Sequence, residues 1–300
     1  MQNPSLKKIR SHLDQLSIQK DEFFYDFLEQ DHNFYEGAYT NSINYTPSNL
    51  TFISRFIFWV ARSGYVHHVI NYLPQNSTVL ELGCGGGVKF FGKFYQIIGM
   101  DLSSKSLQNA SLDYEISVRG NALESLPFPD NSLDGVISSF FWEHIDEEGK
   151  KFIFKEIHRV LKPKGKIVFL FDVETENPFI KKYKNIDPAL YKKTFLDVDE
   201  HIGYTTPREN IRIASTCGFD ELKSFYNEKT IFQEYSVNTK LLNWRSTFPI
   251  SRILLKINKL ISGHKFIGKI YTIFLRILDA SFSFLPDSWC RTMTMILEKR

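Results

Sequence analysis

The residues from Val79 to Gly87, VLELGCGGG, set a carboxylate against a run of glycines. Gly83, Gly85 and Gly87 alternate with Cys84 and Gly86, and Glu81 stands just ahead of them. Glycine has no Cβ and takes positive φ readily, so the backbone can turn sharply and a ligand can lie against it. An acid beside that turn favours a cationic or hydroxyl-rich ligand over a bare phosphate. Asp101 ends a second apolar run, Ile97-Ile98-Gly99-Met100. A carboxylate at the tip of the strand beside a glycine turn is placed to hold the two hydroxyls of a ribose. Together these residues describe a nucleoside-binding crevice.

The elements that must position them follow from the apolar spacing. Val79 and Leu80 read as a buried parallel strand, followed by a short helix and the strand 97–100. Ser103 to Ser111 reads as a helix with Ser103 as N-cap, and Glu115 to Arg119 as a third strand. Leu133 to Ser138 is a fourth strand. The helix Glu147–Leu161 carries Ile153, Ile157, Val160 and Leu161 on one face and stops at Lys162-Pro163-Lys164-Gly165. Strand 166–172, helix 207–217 with Thr206 as N-cap, and strand 219–226 complete a βαβ alternation. Arg291 to Glu298 alternates and predicts a last strand, inserted antiparallel beside 219–226. The fold expected is α/β, a doubly wound, seven-stranded, mostly parallel sheet. Residues 50–73 predict two helices that meet near Gly64, with His67 and His68 as surface or packing residues. Residues 1–22 are polar and read as a helix or a loosely attached segment. The division expected is 1–70 as an N-terminal helical or lid segment, 71–227 as the α/β core, 228–288 as a helical insertion and 289–300 as the final strand.

VLELGCGGG with IIGMDLS resembles motif I and the next acidic strand end of the class I S-adenosylmethionine-dependent methyltransferases. The LPFPDNSLDGVISSFFWEHI block and the LKPKGK turn resemble the same family, and the resemblance covers about residues 70–225. It implies a Rossmann-like fold with S-adenosylmethionine as cofactor. On this resemblance Gly83, Cys84, Gly85 and Gly87 admit the methionine and ribose portion, Glu81 holds the amino-acid part directly or through water, and Asp101 accepts the ribose hydroxyls. Leu102 and Ala122 flank the adenine. Asn121 stands where the family often has an acid for the adenine amino group. Ser139, Phe140 and His144 border the reactive end, because ligands sit at the C-terminal ends of strands in open α/β sheets. His201 and Tyr204 occupy a stretch where related enzymes bring polar groups to the substrate. Tyr35 and Tyr45, in the aromatic stretch 23–45, are the expected lid contacts to substrate. His144 and His201 are the candidate bases, since imidazole takes a proton near neutral pH. No clustered acids suggest a magnesium-assisted enzyme, and no Asn-Pro-Pro-Tyr-like sequence follows the fourth strand. Transfer to an oxygen of a small-molecule or lipid-like acceptor is the default expectation. Two other classes share this crevice: an NAD-dependent oxidoreductase and a catalytically silent binding protein of the same fold.

Bulk properties narrow the partners. The formal charge of +3 over 300 residues gives no nucleic-acid signature, and no basic patch is interleaved with aromatics. Cys84, Cys217 and Cys290 have neither metal spacing nor an even count, so no metal is expected and a reducing compartment is. No apolar leader opens the sequence, and no uncharged run reaches the roughly 18–20 residues that span a bilayer. The expectation is a cytoplasmic protein. Residues 250–285 hold a cationic amphipathic pair of helices, suited to a pocket cap, a homodimer contact or a membrane surface.

Overall fold

In the computed structural model the residues described are 4–28, 50–60, 64–230, 252–253, 256–257, 260–261 and 264–300. The elements run α1 (Pro4–Leu16), β1 (Gln19–Lys20), β2 (Tyr25–Asp26), α2 (Phe52–Val60), α3 (Tyr65–Tyr72), β3 (Thr78–Leu82) and α4 (Lys89–Phe94). They continue with β4 (Gln96–Asp101), α5 (Ser104–Ala110), β5 (Ile116–Arg119), β6 (Leu133–Ser139), α6 (Glu147–Val160) and β7 (Leu161–Asp172). After β7 come α7 (Pro178–Ile186), α8 (Pro188–Tyr191), α9 (Pro207–Thr216), β8 (Phe219–Asn227), α10 (Lys265–Ser281) and β9 (Thr292–Lys299).

The sheet has the order β1-β2-β5-β4-β3-β6-β7-β9-β8. Strands β5, β4, β3, β6 and β7 are parallel, and β9 lies antiparallel between β7 and β8. The chain leaves β3 for β4 on one side and later returns to β6 on the other. That reversal opens a crevice at the C-terminal ends of β3, β4 and β6. Among the described residues nine strands stand where seven were expected. The extra two form the hairpin β1–β2, whose β2 runs parallel to β5 through Tyr25↔Val118 and Asp26↔Arg119. Strands of two residues carry no readable alternation, so the sequence pattern missed them. An Arg119–Asp26 ion pair at 2.8 Å and Phe27 N–H to Arg119 O at 2.9 Å fix the hairpin in place.

Strand alternation splits the core over two faces. Leu80, Leu82, Ile98, Met100, Ile116 and Val118 face one layer with α1, α6 and α9. Val79, Ile97, Ile137 and Val168 face the other with α3, α4 and α5. Helix α1 is not loosely attached. Leu6, Ile9 and Leu13 recur at helical spacing and are buried, each stabilising the docked helix by about 1.5–3 kcal/mol. The caps are those read from the sequence: Ser103 Oγ accepts from Ser106 N–H, and the Thr206 side chain from Glu209 N–H. At the outer rim of β8, Asp220, Glu221, Leu222 and Lys223 are exposed. No helix among the described residues is long and apolar enough to cross a membrane.

Candidate functional site

Beyond β3 the chain turns through Gly83, Gly85 and Gly87 with φ of 62°, 51° and 80°. A Cβ on Gly83 would stand 2.8 Å from the Phe141 ring, so only glycine admits both this conformation and this neighbour. Gly83 and Cys84 N–H groups donate to Met100 O at 2.9 and 3.2 Å, which lays the turn onto the end of β4. Asp101, the last residue of β4, then spans the mouth. Its Oδ2 accepts from Gly85 N–H at 2.8 Å and its Oδ1 from Ser103 N–H at 2.9 Å. Each carboxylate oxygen can accept a further bond, and Asp101 is half-buried rather than sealed.

Glu81 is 2% exposed and sits behind the turn. Tyr65 OH donates to its Oε1 at 3.1 Å, and Tyr114 OH makes a short hydrogen bond to Oε2. Tyr114 OH also accepts from Val88 N–H at 2.7 Å. The carboxylate and two phenols therefore brace the glycine turn from beneath. Burial, reinforced by the Glu81 charge, pushes the Tyr114 phenol well above its ordinary value. Burial and the charges of Asp101 and Glu81 likewise keep Cys84 a thiol.

Leu102 and Asn121 are half-buried beside Asp101 and after β5, and Ala122 is buried among core residues. The Asn121 carbonyl already accepts from Leu123 N–H at 3.0 Å, and its amide donates to Glu124 at 3.3 Å. Ser139 ends β6 and Phe140 follows it at the same end of the sheet, both half-buried. Phe140 sits at φ 56° with its N–H on Leu170 O at 2.8 Å. Such a backbone on a bulky residue costs about 1–3 kcal/mol and tends to occur where a side chain must be aimed.

The third group comes from two distant stretches. Trp142–His144 form a single 3-10 turn after β6, and His201 lies in the loop before α9. Gly203 joins them: its N–H donates to Glu143 O at 2.9 Å, and its O accepts from Lys150 Nζ at 2.7 Å. A Cβ there would fall 1.7 Å from Ile145 O, so this close approach also requires glycine. Lys150 is 1% exposed, and burial lowers its pKa to about 8. It reaches Asn210 Oδ1 as well, at 2.9 Å. The result is that the His144 and His201 rings meet edge to face at 5.1 Å, with His201 stacked on Tyr204 at 5.6 Å. Burial lowers the pKa of His144, which favours a neutral imidazole. Burial raises the Tyr204 phenol, which hydrogen-bonds with Tyr191. One ligating atom each from Glu143, His144 and His201 lies within 4.8 Å of the others.

Tyr35 and Tyr45 lie outside the described residues. Tyr65, Tyr114, Lys150 and Gly203 were not singled out from the sequence, because each acts through a contact with no local spacing to signal it. The Glu-His pair at 143–144 was visible, but its meeting with His201 was not.

Against known proteins, residues 80–169 match the family described as "Methyltransferase domain". A demethylmenaquinone methyltransferase of Lactobacillus johnsonii is 30% identical over 148 residues, 43% of this chain and 60% of that protein. One of Staphylococcus epidermidis is 36% identical over 138 residues, 42% of this chain and 55% of that protein. The chain thus spans little more than half the length of these relatives. A Bacillus halodurans structure, provisionally described as a methyltransferase, aligns with a TM-score of 0.50 at 18% identity. The alignment covers 79% of this chain and 99% of that one, a likeness of fold.

Proposed function

We propose, from the premise that residues 80–169 are a class I S-adenosylmethionine-dependent methyltransferase domain, that the chain methylates a small, lipid-like acceptor of the quinone class. The observation that carries this reading is Asp101, tied to both the glycine turn and the α5 cap with its carboxylate at the crevice mouth. The turn around Gly83, Gly85 and Gly87 offers backbone without side chains, which suits an adenosyl sulfonium. When bound, S-adenosylmethionine supplies a methyl group on a sulfonium that leaves readily.

The chain's own residues do the rest. Asp101 accepts the ribose hydroxyls. Leu102 and Ala122 flank the base, and the second lone pair of the Asn121 carbonyl takes its amino group. Glu81 serves at one remove, by holding the turn through Tyr65 and Tyr114. Cys84 stays protonated and packs beneath it. Ser139 and Phe140 border the reactive end. His144 and His201 face the acceptor, with Tyr204 holding His201 in its plane. A hydroxyl of the acceptor in its reduced, quinol form gives its proton to a neutral imidazole as the oxygen–carbon bond forms and the sulfur–carbon bond breaks. Alignment of this kind can supply about 7–11 kcal/mol in ideal cases, so little further chemistry is asked of the protein.

In this reading residues 71–227 with 289–300 form the cofactor-binding core, and α1 and the β1–β2 hairpin dock on it. Tyr35 and Tyr45 are proposed contacts to the acceptor. Ile267, Ile270, Phe274 and Ile277 form an exposed apolar row on α10, which suits peripheral contact with a membrane that holds the acceptor. A homodimer would use the same row, and vesicle flotation separates the two. The setting proposed is cytoplasmic.

The deciding experiment incubates the protein with methyl-labelled S-adenosylmethionine and lipid, quinone and polar metabolite fractions. Label in a quinone-containing fraction, with the methyl on oxygen, is the expected result. Cofactor binding without transfer to any fraction would mark a silent fold, and calorimetric binding of NAD alone would mark an oxidoreductase.

A further inference from the structure

We propose that Glu143, His144 and His201 form a binding site for a divalent first-row transition-metal ion. The set is two imidazoles and one carboxylate, brought within 4.8 Å of one another. Such a set suits these ions and leaves coordination positions open to water or a substrate oxygen.

Three further observations point to a ligand there. Glu143 is 1% exposed, and its Oε2 has no hydrogen-bond partner among the described residues. Backbone hydrogen bonds and the nearby Lys150 meet part of its charge, and the bare Oε2 leaves a place for a cation. His144 Nδ1 stands 3.2 Å from Glu200 O. A carbonyl can only accept, so Nδ1 carries the hydrogen and Nε2 keeps its lone pair for a metal. Metal-binding histidines are commonly oriented by this kind of outer bond. Finally, Gly203 and the buried Lys150 fix the distance between the loop of His201 and the turn of His144.

Zinc–nitrogen bonds of about 2.0–2.1 Å place tetrahedral ligand atoms about 3.4 Å apart. Separations here of up to 4.8 Å must therefore close by up to about 1.4 Å on binding. Both histidines are half-buried and sit on a short turn and a loop, where rotation of the ring suffices. Cys84 and Cys290 are buried outside this cluster. The inference does not rest on the methyl-transfer reading. Were both to hold, the ion would bind the acceptor oxygen and acidify it in place of an imidazole base.

The test is titration of the cofactor-free full chain with Co2+, followed by visible d–d absorption and calorimetry. One equivalent should bind with nitrogen–oxygen bands and no thiolate charge transfer. His201→Ala and Glu143→Gln should each weaken binding by about tenfold or more. Should Glu143→Gln fail to fold, the half-buried His201→Ala decides alone. No saturable signal, a thiolate-type spectrum, or unchanged affinity in His201→Ala would overturn the site. Failure there leaves S-adenosylmethionine binding, measured separately, free to stand.

Discussion

Replacing His68 by Phe should flatten the acid limb of the stability curve by about 2 kcal/mol between pH 8 and pH 5. His68 lies on α3, 4% exposed, with its ring stacked on Phe225 at a centroid distance of 3.9 Å. Neither ring nitrogen has a hydrogen-bond partner among the described residues. Burial, then the charges of His67 and Arg276, hold its pKa down to about 3. In the unfolded chain the value is about 6.5. The folded state therefore refuses a proton that the unfolded state accepts. The stabilisation is full above about pH 6.5 and is lost as pH falls toward 3. At pH 5 the chain is about 1.5 units below the unfolded value, and at about 1.36 kcal/mol per unit the loss is about 2 kcal/mol. Phenylalanine keeps the stack on Phe225 and removes the titration. All other ionisable groups remain in both proteins and cancel in the difference. Urea denaturation of both proteins at several pH values reads the effect directly. Curves that stay parallel from pH 8 to pH 5 would show that His68 is either solvated or paired, and the reasoning would fail. The consequence reaches the site, because Tyr65 on the same helix braces Glu81.

Tyr114→Phe should cost about 1–3 kcal/mol in chemical denaturation, since it leaves Glu81 Oε2 and Val88 N–H without the phenol that joins them. It should also weaken S-adenosylmethionine binding by calorimetry. Gly83→Ala combines φ 62° with a Cβ 2.8 Å from Phe141, and should lower cofactor affinity by about tenfold or more, with intact affinity counting against the cradle. Gly203→Ala drives a methyl onto Ile145 O and should shift His201 away from His144. Steady-state kinetics should show kcat down about 100-fold with the cofactor constant little changed. Lys150→Met leaves Gly203 O and Asn210 Oδ1 without their buried donor, and about 1–3 kcal/mol of stability should disappear in the same urea assay.

The α/β class, the methyltransferase domain and its cofactor were legible because their signals are local. The glycine turn, the acid at the end of β4 and the serine that caps α5 all lie within 25 residues of one another, between positions 79 and 103. What stayed hidden depends on contacts made at long range. One partner of Glu81, Tyr114, lies 33 residues away, and nothing near Glu81 announces a phenol. The pairing of His144 with the loop of Glu200 and His201 spans 56 residues and hangs on a glycine too unremarkable to single out. The hairpin β1–β2 escaped because two-residue strands have no period. Helix α1 was underrated because its three buried side chains are outnumbered by polar ones.

The two rims of the sheet have a consequence for how copies of this chain can meet. One rim ends in Gln19–Lys20, too short to template a neighbouring strand. The other presents Asp220, Glu221 and Lys223, whose charges oppose the approach of a further strand. Among the described residues, growth by strand addition is thus disfavoured at either rim of the sheet, which shifts assembly toward helical surfaces.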